Sequence, residues 1–169
     1  MRVVADTSAL VNLGVVAGRD PNPLDHLLET HELLVPEQVV AELEETAAYD
    51  DASGRGARAA LDRRERLDVR PVDLDETFPL DEGENAAVTL ANGVNATQFL
   101  CDEFNRLALV HASLTGARLV TMPTLLVALS RNGVFSATEA ESLLAEISDG
   151  RSWAGNAYVS RARTTLRQQ

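Results

Sequence analysis

The sequence predicts a three-layer α/β/α domain on a central parallel sheet. Two observations carry that expectation. Short apolar runs of strand length alternate with segments of helical length along the chain, the pattern of a parallel sheet covered by helices on both faces. Acidic residues also recur directly after those runs or at helix starts, the rim where open α/β sheets take their ligands. A length of 169 residues suits one domain, and an apolar fraction of 45% is enough for a sizeable core.

The elements follow in order. Residues 2–6 are a short apolar run ending in Asp6, a buried strand. Thr7-Ser8 offers an N-cap for a helix from Ala9 to Ala17, closed by the turn cluster Gly18 to Pro23. Leu24 to Leu28 reads as a helix. Leu33-Leu34-Val35 is the second strand, and Pro36 fits the first turn of a helix carrying Val39, Val40, Glu42 and Leu43. After the break at Asp50 to Gly54, Arg55 to Arg66 is a charged, Ala-rich helix. Leu67 to Val72 is a short strand or an extended connector, and Asp73 to Leu80 a loop. Asp81-Glu82-Gly83-Glu84 opens a helix over 85–91. Gln98 to Cys101 is a strand ending at Asp102, with a helix after it to about Leu114. Arg118 to Thr121 is the last strand. Three helices complete the chain, over 122–129, 137–147 and 156–166, the second capped by Ser136.

Composition narrows the chemistry. The single cysteine, Cys101, allows no intramolecular disulfide and no multi-cysteine zinc site, and His26, His31 and His111 lack zinc-ligand spacing. Any metal must be held by oxygen, which points to magnesium or manganese. No apolar run approaches the roughly 18–20 residues of a membrane span, and the first residues do not read as a signal peptide, so a cytoplasmic protein is expected. The net charge is −11, and all 15 basic residues are Arg. Such a balance opposes loose binding to nucleic acid. It fits either a basic or small partner or a halophilic proteome, and the second is preferred. In molar salt the Debye length is only about 3 Å, so global repulsion of a polyanion is largely screened.

Four acids stand out by position: Asp6 and Asp102 after strands, Glu42 and Glu84 early in helices. Facing one hollow, they would repel one another strongly, and a dication resolves that conflict. Such an ion polarises a phosphoryl oxygen and lowers the pKa of a bound water. The alternative is that these acids are only N-caps and dipole partners. Spacing alone leaves both open. Asp81 is a candidate second ligand or a cap, and Glu82 reads as a cap. Glu103 could replace or assist Asp102, or be a solvated first-turn acid. Arg106 is a phosphate-contact candidate. The arginines at 55, 58, 63, 64, 66 and 70 read as a solvated face paired with Asp62, Glu65 and Asp68. Cys101 reads as a core residue and His111 as structural. Ser8 lacks nucleophile-elbow glycines, so a Ser-His-Asp triad has no support. Trp153 and Tyr158 are expected to pack the last helix or a dimer face.

Four segments together resemble the PIN domain family, including VapC-type toxins: Val3-Val4-Ala5-Asp6-Thr7-Ser8-Ala9-Leu10; Val35-Pro36 through Glu42-Leu43; Asp81-Glu82-Gly83-Glu84 and the helix after it; and Leu100-Cys101-Asp102-Glu103. They come in family order over roughly the first two thirds of the chain. The resemblance implies a PIN-like fold and catalytic residues Asp6, Glu42, Glu84 and Asp102. Asp6, Glu84 and Asp102 would bind metal, supported by Ser8, Asp81 and Glu103. It further implies a Mg2+- or Mn2+-dependent ribonuclease acting on RNA, often a homodimer, often restrained by an antitoxin protein. Residues 133–169 resemble the extra helical tail of a PIN-like subgroup, so 1–169 is expected to be one domain with this extension packed on it. Two departures stand out: Phe104-Asn105-Arg106 follows the acid pair, and Thr121-Met122-Pro123-Thr124 follows the last strand. A non-catalytic PIN-like module binding RNA or protein is the alternative. A phosphatase or receiver-like domain with Asp6 as nucleophile ranks last, because the chain has no Lys.

Overall fold

The computed structural model describes residues 1–169. Five parallel strands form one sheet in the order β3-β2-β1-β4-β5: β1 (Arg2–Ala5), β2 (Glu32–Pro36), β3 (Asp68–Arg70), β4 (Gln98–Leu100) and β5 (Arg118–Val120). Nine helices flank the sheet in an α/β/α arrangement: α1 (Thr7–Val15), α2 (Pro23–Thr30), α3 (Glu37–Thr46), α4 (Ala52–Leu61), α5 (Glu82–Gly93), α6 (Leu107–Ser113), α7 (Met122–Arg131), α8 (Ala137–Arg151) and α9 (Ala157–Arg167). The expected fold class is the observed one, and Leu67 to Val72 resolves into a short edge strand followed by a connector.

Parallel strands buried on both faces need continuous apolar runs, and Val3-Val4-Ala5 and Leu33-Leu34-Val35 are fully enclosed. The chain leaves β1 for β2 on one side and later returns to β4 on the other. Registers of Val4 with Leu34 and with Phe99 place the carboxyl ends of the strands level. The sheet therefore switches direction beside β1, and a crevice opens past its end.

Two local readings are corrected. Asp6, not Thr7-Ser8, caps α1: its carboxylate accepts the Ala9 N–H at 2.8 Å, so the helix begins at Thr7. Pro36 ends β2 and stands before α3 as its cap residue, outside the first turn. Both shifts arise because a carboxylate or an extended proline at a strand end already starts the helix.

Helix α1 is buried on nearly every side, from Ser8 to Gly14, as a helix enclosed by neighbours must be. It meets α4 backbone to backbone: a Cβ at Gly14 would collide with the Gly56 carbonyl, and one at Gly56 with the Val11 carbonyl. Glycine removes the side chains that would hold these helices apart. That approach brings Tyr49 and Asp51, in the turn before α4, and Ser53, in its first turn, beside the start of α1. Helices α7, α8 and α9 pack on one another, and α8 also touches α1 and α4. No helix is long and apolar enough to cross a membrane.

Candidate active site

The four acids expected from sequence converge on the crevice beyond β1 and β4, but not in equivalent ways. Asp6 is buried. Its Oδ1 accepts the Ser8 hydroxyl at 2.7 Å and the Ala9 amide. Burial pushes its pKa up to about 7, against the pull of bonds from the Cys101 thiol, Ala9 and Ser8. Asp102 is equally buried and pushed up to about 6, again by desolvation, with the Met122 amide and Asn12 opposing. Ser8 couples the two: its Oγ donates to Asp6 and accepts the Asp102 amide at 2.9 Å.

Asp102 lines the neighbouring hollow with Glu103 and Arg151, not the one that Asp6, Glu42 and Glu84 share. Its Oδ2 accepts from Asn12 Nδ2 at 2.7 Å and its Oδ1 from the Met122 amide at 2.6 Å. A small hollow of about 50 Å³ is instead walled by Asp6, Thr7, Ser8, Glu42, Asp81, Glu84 and Glu103, none of them apolar. This volume admits an ion and a water or two. Glu103, left open from sequence, is on the wall, and Asp102 stands behind it.

Glu42 reaches the hollow from α3, where the Thr7 hydroxyl donates to its Oε2. Its carboxylate lies against Gly83, where a Cβ would overlap it. The Gly-Glu start of α5 therefore has a spatial cause: only a residue without a side chain lets Glu42 approach the helix end. Asp81 caps α5 by accepting the Glu84 amide at 3.0 Å, so it is both cap and wall. Glu84 is buried, and its pKa is raised by desolvation and by Asp81. Glu42 is raised by burial too, with Asp81 and Glu82 adding to it.

Arg106 spans the rim. Its Nε stands 3.3 Å from Glu84 Oε2 and its other nitrogens reach Asp81 and the Pro79 carbonyl. The approach to Glu84 is too poorly aligned to donate, so Glu84 Oε2 is buried with no hydrogen-bond partner. Such an oxygen calls for a cation or a donor. All donors around the hollow are oxygen, the set that suits Mg2+ or Mn2+. No three acidic, histidine or cysteine side chains converge closely enough to enclose an ion in this arrangement.

Residues outside the sequence reading also belong to the site. Asn12 and Thr7 orient Asp102 and Glu42. Arg151, from the end of α8, faces the same crevice as Glu103. Only the Asp-Thr-Ser opening could have drawn attention to Thr7; nothing local marks Asn12 or Arg151. His111 is exposed on α6, away from the hollow, and Cys101 is buried beside Asp6. Of the mid-chain arginines, Arg63 and Arg66 bind Asp25, Arg64 reaches Glu44 and Arg70 binds Asp68. This is a paired surface, though mostly with other partners than the three acids expected. Trp153 and Tyr158 pack against Phe104, with ring centroids 5.0 Å and 5.2 Å from it.

A family model described as a PIN domain (DUF3368) matches residues 2–168. None of the curated proteins matches the chain. Among solved structures, the chain is similar to a PilT N-terminus domain protein from the hyperthermophilic archaeon Sulfolobus solfataricus P2. That pair is 17% identical with a TM-score of 0.48, over 76% of this chain and 92% of that one. It is also similar to VapBC2 from Rickettsia felis, solved bound to a DNA fragment from their promoter. There the identity is 14% and the TM-score 0.49, over 72% of this chain and 98% of that one.

Proposed function

Because the chain belongs to the PIN domain family, we propose that it is a metal-dependent endoribonuclease that hydrolyses RNA phosphodiester bonds. One observation carries the reading: the buried, unbonded Glu84 Oε2 at a hollow walled by carboxylates. Asp6, Glu84 and Asp102 are the residues that would hold Mg2+ or Mn2+, with Glu42 completing the acidic cluster. Bound there, the ion supplies a Lewis acid and a water of lowered pKa.

The chain's own residues divide the remaining work. Ser8 holds Asp6 and the Asp102 backbone in one frame, and Thr7 holds Glu42 against Gly83. Asp81 fixes the first turn of α5, and with it Glu84. Arg106 has long contacts to Asp81 and Glu84 that a phosphate oxygen can replace. The domain is read as one unit over 1–169, with 133–169 packed on it as an extension. An antitoxin partner, a homodimer and a cytoplasmic location extend the reading on the strength of the family resemblance. Sedimentation at several concentrations checks the dimer, and a DNA-binding reading frame directly upstream would support the antitoxin.

A second reading has its own observation. Asp102 spends both oxygens on Asn12 and Met122, and no three acids converge. That favours a PIN-like module that binds RNA or protein without cutting. The deciding experiment offers structured and single-stranded RNA in high salt with Mn2+ or Mg2+, comparing wild type, Asp6→Asn and an EDTA control. Cleavage that needs metal and Asp6 supports the nuclease. Folded wild type that neither cleaves nor takes up metal by calorimetry returns the protein to the binding module.

A further inference from the structure

Beside the acidic hollow lies a larger open cavity of about 410 Å³, within the range of small-ligand sites. The two share Thr7, Ser8, Glu42 and Glu103, so they are one continuous surface. The far wall of the cavity is Tyr49, Ser53 and Arg151. We propose that this cavity is the subsite for the nucleotide flanking the scissile bond of single-stranded RNA, with Arg151 on its phosphate and Tyr49 stacked on its base. The inference rests on the nuclease reading and adds to it two contact residues outside the acidic cluster.

Arg151 makes the case for a phosphate. None of the nine ion pairs in the protein includes it. One nitrogen donates to the Ser53 hydroxyl, and Nε is buried with no partner. A guanidinium carries five N–H groups in a fork suited to phosphate oxygens, so this one keeps unused donors at a wall otherwise short of positive charge. Arg151 lowers the pKa of the buried Asp102 from a distance but has no carboxylate within ion-pair reach, so its free donors remain available at the cavity to an anion from outside. Its position is built, not incidental. Arg151 ends α8, which stops at Ser152 in the left-handed conformation (φ 55°). The following turn is pinned to the Asp102-to-Arg106 loop by the Phe104–Trp153 contact.

Tyr49 makes the case for an unpaired base. Its side chain is among the few large hydrophobics left exposed, at 63%. It stands in the turn that the Gly14–Gly56 approach brings beside α1. An exposed ring lining the same cavity as a guanidinium is a stacking platform that duplex bases cannot use. Asp51 also lines the cavity, but its Oδ1 is engaged in capping α4 through the Gly54 amide at 2.8 Å.

The test measures binding directly, by fluorescence anisotropy of a short labelled single-stranded RNA, in EDTA and again in calcium. Wild type, Arg151→Gln, Tyr49→Ala and a remote surface control, Arg131→Gln, are compared, and thermal melting checks each fold. Arg151→Gln and Tyr49→Ala are each expected to weaken binding by roughly tenfold, with Arg131→Gln unchanged. Arg151→Gln should also lower the slope of log affinity against log salt by about 0.7, the signature of one lost phosphate contact on a single strand. If Arg151→Gln fails to fold, Tyr49→Ala alone decides. Binding equal in all four proteins overturns the subsite, as does a wild type that binds RNA in neither buffer. Tighter binding of the same sequence as DNA overturns the choice of RNA. Metal-dependent cleavage with unchanged KM in both variants removes this subsite and leaves the nuclease standing. RNA binding that needs Arg151 and Tyr49, without any cleavage, supports the two RNA contacts but overturns the nuclease, and with it their place beside a scissile bond.

Discussion

Asn12 Nδ2 donates to Asp102 Oδ2 at 2.7 Å across 90 residues of sequence, joining the middle of α1 to the end of β4. With the Met122 amide on Oδ1, this bond holds the Asp102 carboxylate inside the protein, behind Glu103. Asn12 is itself fully buried, and its Oδ1 has no partner. Asn12→Ala leaves a buried carboxylate oxygen unbonded and should cost about 1–3 kcal/mol, read by chemical denaturation at pH 7. Asp102→Asn should be milder. The Asn12 amide can turn over and accept from the new side-chain NH2, so the fold is expected to survive while cleavage is lost. A variant at 102 that melts well below Asn12→Ala would count against this account of the pair.

Gly83→Ala isolates the placement of Glu42. Gly83 is the second residue of α5, where alanine is a helix former at least as good as glycine, so α5 itself has no objection to it. The added methyl, however, falls on the Glu42 carboxylate and must displace it from the hollow. The expected result is an unchanged or slightly higher Tm with at least a tenfold loss of metal-dependent cleavage. Full activity in Gly83→Ala would show that Glu42 does not need its present position.

Stability without metal should fall as pH rises. Asp6 is raised from 3.8 to about 7 and Asp102 from 3.8 to about 6, both by burial. A folded-state pKa above the unfolded one means the folded protein holds the proton more tightly. The stability so gained is in full below about pH 4 and is lost as pH climbs through 6 and 7. Acids with lowered values, such as Asp25, act below that window and do not confuse it. Melting in EDTA between about pH 5 and 8 should show a falling Tm for wild type. Asp6→Asn should flatten the upper part of the curve and be the more stable protein at pH 8, by on the order of 2–4 kcal/mol. A wild-type Tm that rises over this window would contradict buried, protonated acids.

Asp25 is predicted to be a structural hub with no part in RNA binding. Arg63 binds both of its oxygens, at 2.7 Å and 2.9 Å, and Arg66 adds a third bond at 2.6 Å. These guanidiniums hold its pKa far below the usual carboxylate range. The three side chains are 21–43% exposed, so solvent screens part of the attraction. Asp25→Ala is expected to cost about 1–2 kcal/mol by denaturant titration and to leave RNA affinity unchanged. Arg63 and Arg66, freed by that change, would raise RNA affinity if the mid-chain arginines were a binding face.

The chain's order of strands and helices is legible from its sequence because it depends on local pattern. Apolar runs such as Val3-Val4-Ala5, short and β-branched, read as buried strands, and the turn clusters that separate them leave few ways to connect a sheet. The same pattern puts Asp6, Glu42, Glu84 and Asp102 at one end of the sheet, since strand ends and helix starts share an edge in parallel α/β folds. The tertiary structure alone decided which carboxylates open onto the hollow. Asp102 turns inward because Asn12, far away in sequence, offers a donor there, and Glu103 takes the wall by default. It also decided that Arg151, about fifty positions beyond Asp102 and in no motif, stands at the site. Backbone periodicity is a property of neighbours in sequence. The direction of a side chain, and the charge it meets, depend on packing between segments that no local pattern relates.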